Sequence, residues 1–410
     1  MVEQEQTLEI SHGRRHSVRA MSPSFCYLDN NATTRVAPEV LEALLPYLRE
    51  HWGNPSSAYR FGHQLAGALD EARSRVAALL NGEPREIVFT ACGTESINAA
   101  LNSALFVQPD KRHVVTTAVE HSATLKFLAA RKKRGLEVSL VPVSPRGELD
   151  LEQLERAIRP ETALVSVMAA NNETGLLFPV AQVAELCRRK GVPCHTDAVQ
   201  MAGKLPLDVK ALGVDFLSLS GHKFNAPKGI GALYIRRQTR FEPFLVGGGQ
   251  ERGRRGGTEN VAGCVALGRA AELARQRLES YDSHVRALRD RLENGILETI
   301  TRAARNGAAE PRLPNTANIA FEGVEAEGIL LLLDQAGVCA SSGSACTTGS
   351  LEPSHVLLAM GCGAARARGS VRFSLGYYNT AAEVDHVLKE LPGIIEKLRA
   401  NAPLQMAGAG

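Results

Sequence analysis

The stretch LSLSGHKFNAPKGIGALY, residues 217–234, determines how the surrounding chain folds. One apolar run ends shortly before Lys223, and a second begins at Ile230 after a glycine-rich turn. Short apolar runs bounded by turn residues predict two buried strands. Lys223 is therefore predicted at the end of a strand, on a tight polar turn that faces a cleft. Partial burial there lowers the pKa of a lysine and makes its amine a usable nucleophile or base.

Strand-like and helical segments alternate upstream of this stretch. The strand-like runs share an apolar character and lie at 113–117, 138–141, 164–168, 193–195 and 216–219. Helical patterns, for example 151–158 and 180–190, lie between them. This alternation predicts an α/β fold with a mainly parallel sheet.

Polar clusters follow the predicted strands. Because ligands of such sheets lie beyond the carboxyl ends of the strands, we expect these clusters to converge. They are Thr94, Glu120-His121, Asn171-Asn172-Glu173, Asp197 with Gln200, and Ser220 to Lys223. The turn at Gly93-Thr94 leads from a strand into a helix, an arrangement that directs backbone N–H groups at an anion.

Three further features of the sequence allow a functional interpretation beside a structural one. The Gly/Arg-rich segment 247–260 is either a flexible solvent loop or a basic anion-binding loop. Arg372, among apolar neighbours, either captures a carboxylate or forms a structural ion pair. The small residues of 341–350 bury little surface, so Cys346 among them is predicted to be accessible.

Two local features near the ends of the chain carry their own expectations. The polar cluster at 29–34 could cap the helix that begins near Pro38, a favourable first-turn residue. A helix is predicted from Ala381 to about Leu398, with a break or kink at Pro392-Gly393.

Composition narrows the class of protein. The chain is 44% hydrophobic and 22% charged, and its net charge of +3 does not indicate nucleic-acid binding. Apolar runs are shorter than the roughly 20 residues that span a bilayer, so we expect no membrane segment. Eight scattered cysteines predict free thiols in a reducing cytoplasm. Residues 1–24 lack the apolar core of a signal peptide and are interpreted as a loose extension.

Pyridoxal 5′-phosphate is a cofactor that three predicted features would suit together: a lysine at a strand end, an acid beneath an aromatic ring and a phosphate cradle. The lysine forms a Schiff base with the cofactor's aldehyde. The acid keeps the pyridine nitrogen protonated, so that the ring accepts electrons from the substrate. Spacing alone does not establish this cofactor.

The motifs resemble those of the cysteine desulfurases of the nitrogen-fixation and iron–sulfur cluster assembly class. The resemblance runs from about Tyr27 to the C-terminal helix. Its motifs are YLDNNATT, FTACGTES, VEHSA, ANNETG, HTDAVQ, SGHKFNAPKG, GGGQERGRRGGTEN, SSGSACTTGSLEPSHV and VRFSLG. It implies the fold type I architecture of pyridoxal-phosphate-dependent transferases, with a seven-stranded sheet, and a homodimer.

The resemblance also implies a division into domains. Residues 33–280 would form the large cofactor-binding domain. Residues 25–32 and 281–410 would form a smaller α+β domain that carries the cysteine loop 341–352. The extension at 1–24 is not a feature of the family.

Roles of the cofactor-binding residues follow from the matched motifs. Lys223 would carry the cofactor, and Asp197 would pair with its pyridinium nitrogen. His121 would stack on the ring and transfer protons. Gln200 and Asn172 would hydrogen-bond the side of the ring that bears the phenolic oxygen.

The remaining predicted site residues bind phosphate or substrate. The phosphate region would be bound by Gly93, Thr94, Ser220, His222 and, from the partner subunit, Thr258. Arg372, with Asn172 nearby, would hold the carboxylate of the substrate. Cys346 would be the nucleophile, and no metal is expected at the site.

The resemblance implies the following reaction. L-cysteine takes the place of Lys223 on the cofactor, and the freed lysine removes the Cα proton. The thiolate of Cys346 then attacks the sulfur of the substrate, which leaves a persulfide on Cys346 and L-alanine. The persulfide sulfur passes to an acceptor scaffold protein for iron–sulfur cluster assembly, with nitrogenase clusters as one destination.

The alternative functions differ in the role that each assigns to Cys346. A selenocysteine lyase of the same fold can also use a cysteine near its site. A plain aminotransferase leaves Cys346 without a role. A sulfur carrier or assembly scaffold would need no cofactor, but the scattered cysteines, without a CxxC pair, do not favour cluster binding.

Overall fold

The structure is a computed structural model that describes residues 25–342 and 352–401. The predicted extension at 1–24 and the predicted nucleophile Cys346 lie outside the described residues.

Strands and helices alternate over the first two thirds of the described chain. The strands are, in chain order, β1 (Cys26–Tyr27), β2 (Ile87–Thr90), β3 (His113–Thr117), β4 (Glu137–Val141), β5 (Thr162–Ser166), β6 (Cys194–Asp197), β7 (Phe216–Ser220), β8 (Gly231–Ile235), β9 (Ala303–Arg305), β10 (Thr316–Phe321), β11 (Val338–Cys339) and β12 (Ser370–Ser374). The α-helices are α1 (Pro38–Arg49), α2 (Arg60–Leu79), α3 (Gly93–Phe106), α4 (Ser122–Lys132), α5 (Leu151–Ala157), α6 (Val180–Lys190), α7 (Val209–Leu212), α8 (Val261–Thr299), α9 (Ala326–Gln335), α10 (His355–Ala359), α11 (Ala364–Arg368) and α12 (Ala381–Ala400). Short 3₁₀ turns are Pro84–Glu86, Gly221–Lys223 and Gln250–Gly253.

The central sheet has seven strands in the order β2-β8-β7-β6-β5-β3-β4. β8 is antiparallel to both of its neighbours, and the other pairings are parallel. This confirms the predicted α/β fold with a mainly parallel sheet of seven strands. The carboxyl ends of β3, β5, β6 and β7 consequently meet at one edge, where the polar clusters follow.

A second hydrophobic core lies apart from the central sheet. It contains buried residues from both ends of the chain, including Leu28, Val285, Phe373 and Leu391. Parts of the segments at 25–32 and beyond 281 therefore share this core. Residues 356–360 from the same region pack instead into the core of the large sheet. The domain boundaries stay a prediction.

The long helix α8 contributes to both cores. It runs for 39 residues without interruption, with Val261 to Leu273 against the large core and Tyr281 to Ile296 against the second. A single continuous helix thus joins the two cores.

The predicted break in α12 and the predicted cap of α1 are wrong, while the alternative of a kink at Pro392-Gly393 stays a prediction. The helix α12 runs through Pro392 without a break. A proline removes one backbone N–H donor, and in a helix of 20 residues the other hydrogen bonds and the buried face maintain the helix. The N-cap of α1 is Ala37, which makes no side-chain cap bond in the described chain. The polar cluster at 29–34 does not cap this helix and lies at the site described below.

Within residues 25–342 and 352–401, every helix is too short or too polar to span a membrane.

Candidate active site

One cavity of about 300 Å³ collects most of the predicted site residues. Its lining includes Gly93, Thr94, His121, Asn172, Asp197, Gln200, Ser220, His222, Lys223 and Arg372. These residues come from separate stretches of sequence. The carboxyl-terminal edge of the central sheet brings them together, except for Arg372, which comes from another sheet. Thr258 is exposed and does not line this cavity, and Cys346 is outside the described residues.

Lys223 reaches the cavity from the 3₁₀ turn Gly221–Lys223, which follows β7 directly. Its Nζ donates hydrogen bonds to the backbone oxygens of Asn31 at 2.6 Å and Ala32 at 2.8 Å. Gly221 opens this turn and lets the side chain of Ala226 pack closely against its backbone, because a Cβ at residue 221 would lie only 2.9 Å from the Cβ of Ala226. The amine is thus held at a defined place at the end of the strand.

The start of α3 forms an anion cradle. Its N-cap, Cys92, has no side-chain cap bond in the described chain, so the first N–H groups of a 14-residue helix point outward. A Cβ at Gly93 would lie 2.8 Å from Val199 Cγ2, which explains why glycine opens this helix. The Oγ of Ser220 is buried and has no partner among residues 25–342 and 352–401. These free donors suit a phosphate group.

His222 lies beside this cradle as a neutral ring. Burial, with Lys223 and Lys228 nearby, lowers the pKa of His222 to about 4. One ring nitrogen, Nδ1, lies 3.1 Å from the hydroxyl of Thr33. Neutral His222 can still donate a hydrogen bond to an anion.

Asp197 ends β6 as a buried carboxylate. Burial raises its pKa, while His121 and Lys223 act in the opposite direction. Its Oδ1 accepts the backbone N–H of Val199 at 2.9 Å. A cationic nitrogen brought into the cavity would stabilise the charged form of this carboxylate, so Asp197 suits a protonated pyridine.

His121 caps helix α4. Its Nδ1 accepts the backbone N–H of Ala123 at 3.1 Å, so the proton of the neutral ring is on Nε2. The cap therefore sets both the position of the ring and its tautomer.

Arg372 reaches the cavity from β12, in the three-stranded sheet of the second core. It is buried, and its guanidinium donates to the backbone oxygen of Asn172 at 2.9 Å and to Asp29 Oδ1 at 2.7 Å. Its Nε has no partner in the described part of the chain. A buried cation with donors still available suits a carboxylate of a small substrate.

The described ends of the cysteine segment are anchored near the cavity. Ser341 exchanges two backbone hydrogen bonds with Arg372, at 2.6 and 3.2 Å. At the other end, the hydroxyl of Ser354 donates to the buried carboxylate of Glu173. His355 Nε2 lies 3.0 Å from the backbone oxygen of Glu120. The chain that carries Cys346 therefore leaves and re-enters the described structure beside residues of the site.

Three features of the site were not predicted from the sequence. The backbone oxygens of Asn31 and Ala32, which hold Lys223, come from the cluster that was expected to cap a helix. Lys204 is a buried lysine that was not singled out. Glu120 was included in a polar cluster, but its complete burial was not foreseen. For the backbone oxygens that hold Lys223, the available sequence signal was the pair of asparagines at 30–31.

The Gly/Arg-rich segment 247–260 is attached to the fold by its charged side chains. Glu251 accepts from Arg73 at 2.6 Å in a buried ion pair, and Arg255 pairs with Glu95 of α3 at 3.0 Å. Exposed Thr258 follows these contacts. The flexible solvent-loop interpretation is therefore wrong for the anchored part of this segment.

Comparison with known proteins gives consistent matches over most of the chain. The family model Aminotransferase class-V matches residues 26–387. A cysteine desulfurase of Trichormus azollae is 52% identical over 387 residues, which cover 94% of this chain and 97% of that protein. The cysteine desulfurase NifS of Azotobacter vinelandii is 53% identical over 378 residues, which cover 92% and 94%.

Solved structures also match over most of the chain. A NifS-like protein aligns with a TM-score of 0.86 at 40% identity, covering 91% of this chain and all 100% of that one. SspA in complex with cysteine aligns with a TM-score of 0.77 at 35% identity, covering 86% and 99%.

Proposed function

The chain belongs to the class-V aminotransferase family, and from this premise we propose that it is a pyridoxal-phosphate-dependent cysteine desulfurase. It would convert L-cysteine to L-alanine and transfer the sulfur, through Cys346, to an acceptor protein for iron–sulfur cluster assembly. The observation that carries the proposal is the single cavity in which Lys223, Asp197, the anion cradle at Gly93 and buried Arg372 meet.

The residues present fit the cofactor. Lys223 would hold its aldehyde carbon, and Asp197 would hold its ring nitrogen in the protonated form. The hydroxyl of Ser220, which has no partner among the described residues, and the open start of α3 would bind its phosphate. When bound, pyridoxal phosphate supplies an electron-accepting ring that acidifies the Cα–H bond of an amino acid.

Substrate binding falls to Arg372 and its neighbours. The backbone oxygen of Asn172 and the carboxylate of Asp29 fix the plane of the guanidinium. Its remaining N–H groups are then oriented toward one carboxylate of the substrate before that substrate binds. Such preorganisation places the Cα–H and Cβ–S bonds of L-cysteine at a defined position in the cavity.

Proton transfer falls to Lys223 and His121. Lys223, once released from the cofactor, would take the Cα proton of the substrate. Because the backbone N–H of Ala123 occupies Nδ1 of His121, the neutral ring would present Nε2–H to the cavity and donate this proton to substrate atoms.

Cys346 would carry out the sulfur step. Its thiolate forms an S–S bond with the sulfur of the substrate while the Cβ–S bond breaks, and the electron pair of that bond remains with Cβ. Protonation of Cβ gives the methyl group of alanine. The outer sulfur of the resulting persulfide then passes to a thiolate of the acceptor. The anchoring of Ser341 and Ser354 beside the cavity supports this role.

We propose further that the enzyme works as a homodimer in which exposed Thr258 binds the phosphate in the partner subunit's site. Two observations support this: Thr258 is exposed, and it does not line the cavity of its own chain. The seven cysteines within residues 25–342 and 352–401 are free thiols, which supports a cytoplasmic location.

The Cys346→Ala variant tests the proposal. It should bind pyridoxal phosphate as the wild type does but form no persulfide with L-cysteine, because the acceptor of the sulfur is missing. Cofactor absorption and sulfide release to a thiol reductant measure the two properties. Full sulfur release by this variant would contradict the role of Cys346, and a Cys362→Ala variant serves as the matched control.

A further inference from the structure

Lys204 is a fully enclosed lysine close to the site, with 2% of its surface exposed. It lies four residues after Gln200, and its Nζ donates to Gln200 Oε1 at 2.9 Å and to Asn31 Oδ1 at 3.1 Å. Gly203 makes this possible: its φ is +74°, and a Cβ there would lie 2.6 Å from the Cβ of Phe224. The chain turns at this glycine and sends Lys204 inward.

The contacts of Lys204 determine the orientation of the Gln200 amide. Gln200 Nε2 donates to the backbone oxygen of Asn31 at 3.0 Å, while Oε1 accepts from Lys204. A flipped amide would place oxygen against oxygen at Asn31 and NH₂ against the amine of Lys204. One N–H of Nε2 remains, and Gln200 lines the main cavity. Gln200 can therefore donate to a ligand there, but its oxygen is occupied.

In these contacts Lys204 donates two hydrogen bonds. Among residues 25–342 and 352–401 its Nζ has two acceptors, Asn31 and Gln200, which match the two N–H groups of a neutral amine. Burial, together with the positive charges of Lys223 and Arg372, lowers its pKa well below the usual range of lysine. A smaller cavity behind Lys204 is also lined by Arg277, Tyr281 and Tyr377.

We infer that Lys204 is a positioning residue that holds Gln200 so that only its amide N–H faces the bound cofactor. The inference rests on the proposed function, since Gln200 is there assigned to the ring-oxygen side of pyridoxal phosphate. A donor at that position favours negative charge on the ring oxygen. Asn31 completes the arrangement, because its backbone oxygen also accepts from the amine of Lys223 at 2.6 Å.

Lys204→Met, which keeps an unbranched side chain one atom shorter and removes both donors, tests the inference in the cofactor-loaded enzyme. Gln200 then loses one of the two contacts that orient its amide, its N–H is held less firmly toward the ring oxygen, and negative charge on that oxygen becomes less stable. The pH midpoint at which the visible band of the bound cofactor titrates should rise by about one unit, a tenfold change in the proton equilibrium. The other charged or titratable groups at the cavity are unchanged; they are Cys92, His121, Asp197, His222, Lys223 and Arg372.

A double-mutant cycle separates positioning from a direct electrostatic effect. Gln200→Leu alone should raise the midpoint, and adding Lys204→Met should then shift it little further. Shifts that simply add would show that Lys204 does not act through Gln200. Lys204→Gln, which retains one amide donor, provides a milder variant should the methionine variant not fold, and its midpoint should rise by less. Exposed Lys210→Met is the control and should leave the midpoint unchanged.

The outcomes also separate this inference from the proposed function. Unchanged midpoints in the folded variants, with a wild-type enzyme that still binds the cofactor and forms alanine, would overturn the role of Lys204 alone. A wild-type protein that neither binds pyridoxal phosphate nor releases alanine would overturn the proposed function as well.

Discussion

Glu120 provides a sharp test of the electrostatics beside the site. Its side chain is completely buried after β3, directly before His121. Oε1 accepts from the hydroxyl of Thr117 at 2.8 Å and the backbone N–H of Met168 at 2.9 Å. Oε2 has no partner within residues 25–342 and 352–401. Burial raises the pKa of Glu120 from 4.5 to about 8.

This shift makes the free energy of unfolding depend on pH. The folded carboxyl group keeps its proton up to about pH 8, whereas the unfolded one loses it near pH 4.5. The stability that this proton provides is fully present below the pKa of Glu120 in the unfolded chain, 4.5, and is lost as the pH rises toward the pKa in the folded chain, about 8. Each pH unit in this range costs about 1.36 kcal/mol, so the loss between pH 5.5 and 8 is roughly 3 kcal/mol.

Glu120→Gln removes the ionisation and keeps the acceptor Oε1. The free energy of unfolding of the variant, relative to wild type, should therefore increase by roughly 3 kcal/mol between pH 5.5 and 8. Urea unfolding, followed by circular dichroism at both pH values, measures it. Exposed Glu42→Gln is the control. If Glu120→Gln and wild type show the same pH dependence, Glu120 is already ionised in the fold and the argument is refuted.

Two further predictions concern binding. Arg372→Lys keeps the charge but loses the planar fork, and hydrogen bonds to charged groups contribute about 1.5–3 kcal/mol, so KM for L-cysteine should rise about 10- to 100-fold. Steady-state alanine formation measures this, and an unchanged KM would remove Arg372 from the carboxylate site. Ser220→Ala should weaken pyridoxal phosphate binding about tenfold, with little change in stability, because its hydroxyl has no protein partner in the described chain. Cofactor titration checks it, and equal affinity would place the phosphate elsewhere.

The sequence predicted the sheet and the position of Lys223 because apolar runs and glycine turns are local signals. The runs at 113–117 and 180–190 match β3 and α6. The convergence of Asp197, Ser220 and Lys223 followed from the rule that parallel strands end at a common edge.

The remaining features depend on tertiary contacts that leave no local pattern. The acceptors of Lys223 are backbone oxygens of Asn31 and Ala32, and any residue type has such an oxygen. Lys204 resembles an ordinary surface lysine until Gly203 turns it inward. Pro392 lies in a helix whose buried face, with Leu391 and Ile395, outweighs the loss of one backbone hydrogen bond.

The central claim is that Cys346 receives sulfur from L-cysteine. Mass spectrometry of the purified protein after incubation with L-cysteine alone, with alanine assayed in the same sample, tests it most directly. We predict a mass gain of one sulfur atom that maps to Cys346, together with stoichiometric alanine. Alanine without an adduct would indicate direct elimination, as in a lyase, and would contradict the account. Neither product, with the cofactor bound, would favour an aminotransferase instead.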